Sequence, residues 1–388
     1  MSAPARPAAV RSWEDYRREF PVFERATYLN SCSLGALGTR VRDAVSRFLD
    51  LWGAQGAAAW HGPWWEEMDA LRASAARLLG ADPDEVALHP SITSALSAVA
   101  GCFDYERRPR VVAADIDFPT VAYQWLARRS RGVEVVFARS PDELGVPLEE
   151  FEGAIDERTQ IVATSHVYFQ SGDVQDIAAL ARLAHARGAF LLVDAYQSAG
   201  QMPVDVRAAN VDFLVTGGLK WLLGGPGIAY LYARRDLHAR LQPATTTGWF
   251  AHRDQFAFDV THLDYADDAR RLEGGTPSVA AIYAGRAGLD YVHEIGPERL
   301  RARQVELTSA LVSGLRDLRL APRIRVGAPV PAGIVTVPVA DPEGAVQALR
   351  ADRVVIDRRP GVIRLSPYFY NTHEDLERTL AALRRHIG

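Results

Sequence analysis

Between about residues 65 and 240, short apolar runs alternate with longer stretches of helical periodicity. Val111–Ala114, Val133–Phe137, Ile161–Ser165, Phe190–Asp194, Phe213–Thr216 and Ile228–Ala233 have the length and largely apolar make-up of buried strands. Amphipathic stretches lie between several of them; Ile177–Ala186, for example, stops at Gly188. Strands alternating with helices predict an α/β fold with a mostly parallel sheet covered on both sides. In such sheets ligands gather beyond the carboxyl ends of the strands. A long helix is expected over Ala280–Tyr291. A second unit follows, with a helix at Leu300–Leu315, a strand at Gly333–Val337, a helix at Pro342–Arg350, strands at Val354–Ile356 and Val362–Leu365, and a closing helix at Glu374–His386. The chain thus divides into an extended arm with a short helix (Trp13–Phe20) over 1–27, packing with the small unit, a large domain over 28–290 and a small α/β domain over 291–388.

With 388 residues, 48% hydrophobic and 24% charged, the chain can build one large core and a smaller one. The net charge of −4 argues against an electrostatic nucleic-acid binder. Clusters such as Arg128, Arg129 and Arg131 are short enough to sit on a solvated helix end. Cys32 and Cys102 have neither zinc spacing nor a disulfide framework, so no metal site is expected and a reducing cytoplasm suits the chain. The opening MSAPARPAAVRSW lacks the apolar core of a signal peptide, and no apolar run approaches the ~20 residues of a membrane span.

Charge carries one further signal. The 44 basic residues are 43 arginines and a single lysine, Lys220. Arginine replaces lysine for salt bridges and solubility, but it does not shed its proton to become a nucleophilic amine. Lys220 is therefore a candidate for covalent amine chemistry, above all a Schiff base with a carbonyl. An arginine-biased composition could also have left one lysine by accident. The surroundings decide between the two. The apolar run Phe190–Asp194 ends in a carboxylate, and Lys220 follows the next apolar run, Val211–Val215, so both emerge at the same edge of the sheet. Asp194 could equally cap a helix or join a structural ion pair. A lysine and an aspartate converging there suit pyridoxal 5′-phosphate (PLP), with the lysine forming an imine and the aspartate holding the pyridine nitrogen protonated.

The segment Phe190–Ala233, with VDAYQ, Lys220 and the downstream GGPG, resembles the core of the class V aminotransferase family of PLP enzymes. That family includes cysteine desulfurases, selenocysteine lyases, isopenicillin N epimerase-like enzymes and kynureninases. The order of YLNSCSLGAL, HGPWW, PSITSALS, DFP, HVYFQSG, VDAYQ, GWFAH and IRLSPYFYN is nearest to kynureninases. The resemblance implies an aspartate-aminotransferase-like fold: a large domain with a mostly parallel seven-stranded sheet, a small C-terminal α/β domain, and a homodimer with sites at the subunit interface. It implies Lys220 and Asp194 as catalytic residues. Ile92 and Thr93 would bind phosphate at a helix N-terminus, Phe118 would stack on the pyridine ring, and Gln170 and Gln197 would contact the ring, unless they are satisfied core amides. Trp249 and Thr276 would reach the partner's phosphate, and Arg364, assisted by Ser33, would hold the substrate α-carboxylate through its two-pronged fork.

These residues imply an amino-acid substrate and an α-carbanion formed with Lys220 as the base. A kynureninase-like or C–S/C–C lyase is the leading expectation, with a class V aminotransferase or epimerase of a specialised pathway as the alternative. Kynureninases carry Tyr where this chain has Leu219, Asn where it has Thr276 and His where it has Gln197, which sets kynurenine itself apart from the shared chemistry. Desulfurases use a cysteine late in the chain; none follows Cys102, which leaves only Cys32, near the expected carboxylate site. A nicotinamide enzyme should show GxGxxG after its first strand, and none appears there. A non-catalytic module of the same fold could have lost Lys220, Asp194 or Arg364, and all three are present.

Overall fold

The computed structural model describes residues 11–325 and 331–387; the beginning of the expected arm lies outside them. Twelve strands are present among these residues: β1 (Thr27–Tyr28), β2 (Val86–His89), β3 (Arg110–Ala114), β4 (Glu134–Ala138), β5 (Thr159–Ser165), β6 (Phe190–Asp194), β7 (Phe213–Gly217), β8 (Ala229–Ala233), β9 (Val335–Pro338), β10 (Val354–Val355), β11 (Asp357–Arg359) and β12 (Val362–Leu365). Seven form one sheet in the order β2-β8-β7-β6-β5-β3-β4. Pairing is parallel from β7 through β4, whereas β8 runs antiparallel to both β7 and β2. This is the aspartate-aminotransferase-like α/β fold with a mostly parallel seven-stranded sheet. The central strands β7 and β8 are buried at every residue, which is why they read as unbroken apolar runs.

Reversing β8 has a direct consequence for function. The carboxyl ends of β2, β3, β5, β6 and β7 and the amino end of β8 all open on one edge, so loops from six strands converge there. Turns along this edge need small residues. The segment after β7 doubles back on itself, with Gly224 N–H donating to Gly218 O at 2.8 Å. Leu223, buried and non-glycine, takes a left-handed φ of 59°, a strained conformation of the sort that collects at functional sites.

The helix Val279–Ile295 presses on that segment through glycines. A β-carbon on Gly224 would meet Gly285 Cα at 2.7 Å, and one on Gly288 would meet Gly224 N at 2.6 Å and overlap the Leu222 carbonyl. On the other side, a β-carbon on Gly35 would strike the Lys220 carbonyl. The loop bearing Lys220 is thus clasped between two backbones.

The second unit packs the antiparallel sheet β11-β12-β9 with the helices Pro297–Asp317, Pro342–Ala351 and His373–His386 around Leu307, Leu311, Leu315, Ile363 and Leu383. Tyr28 and Leu29, assigned to the large domain on sequence, join this unit instead: β1 pairs in parallel with β10, and Leu29 lies in the small core. The N-terminal helix is shorter than expected, Trp13–Arg17, because Pro21 holds Phe20 extended. It docks through Arg17–Asp375 at 2.6 Å and through Trp13 against Phe369. None of the described helices is long and apolar enough to cross a membrane.

Replacing Gly288 by Ala should destabilise the fold by about 1–3 kcal/mol, since a methyl group has no room between the two backbones. Denaturant unfolding checks this, and an unchanged midpoint would mean that the loop yields freely.

Candidate active site

The convergent edge encloses a cavity of about 510 Å³. Its floor begins where β6 ends at Asp194, a buried carboxylate whose Oδ1 accepts the Tyr196 N–H at 2.8 Å. Burial raises the Asp194 carboxyl above its usual range, and neither that hydrogen bond nor the charge of Lys220 fully offsets it. Lys220 follows β7 by three residues. Its Nζ sits 4.4 Å from the centre of the Tyr196 ring and 5.8 Å from that of Phe118. The side chain as a whole is half-buried, yet the amine is enclosed deeply enough that desolvation lowers it to about 8, against the opposing pull of Asp194.

The opposite wall starts from β2. Ser91 caps the helix Ile92–Ala100 by accepting the Ser94 N–H at 3.2 Å, while Ile92 and Thr93, whose N–H groups belong to the unpaired first turn, line the cavity. From β3 the chain enters Asp117 and Phe118. The Asp117 carboxylate accepts Ala114 N–H (3.0 Å), Thr164 Oγ1 (3.2 Å) and Ser165 N–H (2.7 Å), tying the end of β3 to the end of β5. Burial raises it to about 7 despite these donors. Phe118, beside this tie, packs edge-on against Phe169 at 5.2 Å and remains 42% exposed.

The small unit closes the site. An isolated bridge between Asn30 and Ser366 brings Ser33 beside β12. Arg364 on β12 is 1% exposed; its Nη1 donates to Phe169 O at 2.7 Å, and its Nη2 donates to Ser33 Oγ at 2.7 Å and to Asp357. Arg359 donates to the same Asp357 oxygen at 2.7 Å and also lines the cavity. Burial would raise the Asp357 carboxyl, but the Ser33 hydrogen bond and the charges of Arg364 and Arg359 hold it below its usual range.

Of the residues expected from the sequence, the cavity gathers Ser33, Ile92, Thr93, Phe118, Asp194, Gln197, Lys220 and Arg364. Gln197 turns both ends of its amide to protein: Nε2 donates to Cys32 O at 3.0 Å, and Oε1 accepts Trp221 Nε1 at 2.8 Å. It behaves as a satisfied bridge holding Cys32 and the Lys220 segment together. Gln170 does not line the cavity, because the turn at Phe169–Gly172 sends Phe169 inward instead. Trp249 and Thr276 are likewise away from this chain's own cavity. Trp249 lines a separate depression formed by 247–263, and Thr276 is exposed. Sequence reading missed Asp117, Tyr196, Asp357 and Arg359. The first two adjoin recognised motifs and could have been found there, whereas nothing in the sequence distinguishes Arg359 from the other arginines. Among the described residues, no group of three or more His, Cys, Asp or Glu side chains could hold a metal ion.

This donor set fits PLP. The first turn of Ile92–Ala100 offers N–H groups to a phosphate, Phe118, partly exposed and lining the cavity, offers an aromatic surface, Asp194 offers a buried acceptor for a protonated ring nitrogen, and Lys220 offers an amine that is partly neutral near pH 8.

The chain is similar to known proteins over most of its length. Residues 27–379 match the family model for class V aminotransferases. The uncharacterized aminotransferase YcbU of Bacillus subtilis is 35% identical over 372 residues, covering 95% of this chain and 96% of its own. A kynureninase of Bacillus cereus is 29% identical, covering 96% and 91%. The apo structure of a cysteine desulfurase from Thermococcus onnurineus superposes with a TM-score of 0.90 at 23% identity, over 98% of this chain and 99% of the other, which speaks for the fold. The chain belongs to the class V aminotransferase family and is a PLP-dependent enzyme.

Proposed function

We propose that the protein is a kynureninase-like lyase that cleaves a C–C or C–S bond in the side chain of an amino acid, with Lys220 and Asp194 as its catalytic residues. The observation that carries this reading is the placement of Lys220, Asp194 and Arg364 around one cavity. When bound, PLP supplies an aldehyde that takes up amines and a ring that withdraws electrons. Arg364 and Ser33 bind the substrate carboxylate and so fix the orientation of its Cα. Lys220 Nζ would remove the proton from that Cα and return one later. Asp194 would keep the ring nitrogen protonated, Ile92 and Thr93 would hold the phosphate, and Phe118 would lie against the ring. Val167, Phe169, Leu219 and Ile228 supply apolar walls for the substrate side chain. Phe118 before Pro119, and a kynureninase matching most of the chain, support lyase chemistry. Similarity to YcbU supports transamination as a second reading.

Two sites at a subunit interface suit the exposed apolar side chains Trp249, Phe256, Phe258 and Leu263, which lie on one loop. In a homodimer Trp249 and Thr276 would complete the partner's phosphate site. The two free cysteines, Cys32 and Cys102, support a cytoplasmic location.

Incubation with a panel of amino acids including L-kynurenine tests the reading. A lyase releases a side-chain fragment while the cofactor stays in its aldehyde form; dependence on an added 2-oxo acid, with no fragment released, would establish transamination instead. Lys220→Arg should preserve the fold and lower turnover by more than about a thousandfold, because guanidinium neither attacks an aldehyde nor takes the Cα proton. Asp194→Asn should retain cofactor, seen as a visible band abolished by borohydride, yet lose about a hundredfold in turnover. A near-normal rate in either variant would reject the assigned role.

The pH dependence follows from the amine. Only neutral Lys220 reacts, and with its titration near pH 8 the rate at which cofactor-free protein takes up PLP should climb about tenfold between pH 7 and 9, then level off. A rate still climbing beyond about pH 10 would mean an ordinary, solvated lysine.

A further inference from the structure

Asp357 occupies an unusual position for a residue outside the catalytic set. Three donors meet on its Oδ2: Ser33 Oγ at 2.5 Å, Arg359 Nη1 at 2.7 Å and Arg364 Nη2. Its Oδ1 takes only the Arg358 N–H at 2.7 Å. The three donor residues line the cavity, whereas Asp357 is not among the lining residues. Arg364 also holds a buried Nε with no partner, and Arg359 donates through Nη1, to Asp357 and to the Arg358 carbonyl. Two guanidinium charges therefore share one carboxylate, leaving one positive charge and several N–H groups uncommitted beside the cavity. Paired guanidinium forks and a hydroxyl make up the donor set that a planar carboxylate calls for.

We propose that Asp357 is an internal stand-in for the substrate carboxylate. In the free enzyme it gathers Ser33, Arg359 and Arg364 onto one oxygen; when an anionic substrate enters, they turn to it, so Arg359 is a second carboxylate-binding residue. The substrate competes with Asp357 for donors, and the strength of that internal pair sets how tightly carboxylates bind. Asp357 selects through this competition: an amino acid or other ligand without a free carboxylate has nothing with which to draw the arginines away. The inference rests on assigning Arg364 to the substrate carboxylate.

The test uses the full chain with PLP bound and propionate as the probe, its dissociation constant measured by calorimetry. Asp357→Asn keeps an acceptor oxygen but removes the competing charge, and should tighten propionate binding by about tenfold. Arg359→Gln should weaken it by a similar factor. Equal or weaker affinity in Asp357→Asn would overturn the proposal, by showing that the carboxylate only orders the arginines. Should that variant fail to fold, Arg359→Gln decides alone, and unchanged affinity there overturns the proposal. Arg364→Gln separates the two levels. Unchanged affinity in that variant removes the assignment of Arg364 itself; loss there, with no change in the other two, removes only the role given to Asp357 and Arg359.

Discussion

Withdrawing the Lys220 amine from water is the constraint on which the site depends, and it sets two requirements on the surrounding fold. Burial favours the neutral amine that covalent chemistry needs, while Asp194 favours the charged one; burial prevails, leaving the amine near 8. Maintaining that balance requires the loop after β7 to stay closed. Backbone-to-backbone contact with the helix Val279–Ile295 keeps it closed, and only glycine at positions 224 and 288 allows such an approach. The left-handed Leu223 is the conformational counterpart: a bulky residue holds a disfavoured φ because packing on both sides leaves it no alternative. Reactivity at one nitrogen is thus secured by packing several residues away.

Much of the large sheet was legible because its inner strands are buried on both faces and need few polar positions; β3 to β8, the half-buried edge strand β4 included, register as short apolar runs within two residues of their true ends. The small unit was less transparent. β11 reads Asp-Arg-Arg, which carries no hydrophobic signal, and it becomes a strand only because β12 offers it an antiparallel partner. The pairing of β1 with β10 spans more than three hundred residues and leaves no local trace. At the site, residues in distinctive motifs were found: Lys220 by its rarity, Asp194 by its strand end, Arg364 by the RLSP context. Arg359 and Asp357 escaped because their significance is relational. One arginine among 43 becomes informative only when a second guanidinium is seen to share its carboxylate.

The charges in the cavity run opposite to those of the whole molecule. Overall the chain carries −4, yet Lys220, Arg359 and Arg364 outnumber Asp194 and Asp357 around this crevice. A walled-in excess of positive charge concentrates anions. Both groups that the proposed function brings to the site, a phosphate and an amino-acid carboxylate, are anionic. The phosphate would meet helix N–H groups at one end of the cavity and the carboxylate would meet guanidinium groups at the other, so each anion has a different class of donor. Such a division fixes the direction in which a substrate lies without needing contacts along its side chain, and the apolar walls remain free to differ among relatives with different substrates.

The near-absence of lysine acquires chemical sense from the same geometry. An aldehyde cofactor reacts with accessible neutral amines, and lysines spread over a surface offer many sites for unproductive capture. Here the surface cations are arginines, which pair with carboxylates as in Arg207–Asp82 and Arg385–Asp352 without presenting a nucleophilic amine. The single lysine is also one whose amine burial has lowered toward neutrality. On the proposed role of Lys220, selectivity for the site has two separate origins, scarcity in the sequence and activation in the fold. Only the second depends on the cavity's being intact: unfolding would return Lys220 to an ordinary amine, more fully protonated near pH 7, while leaving it as scarce as before.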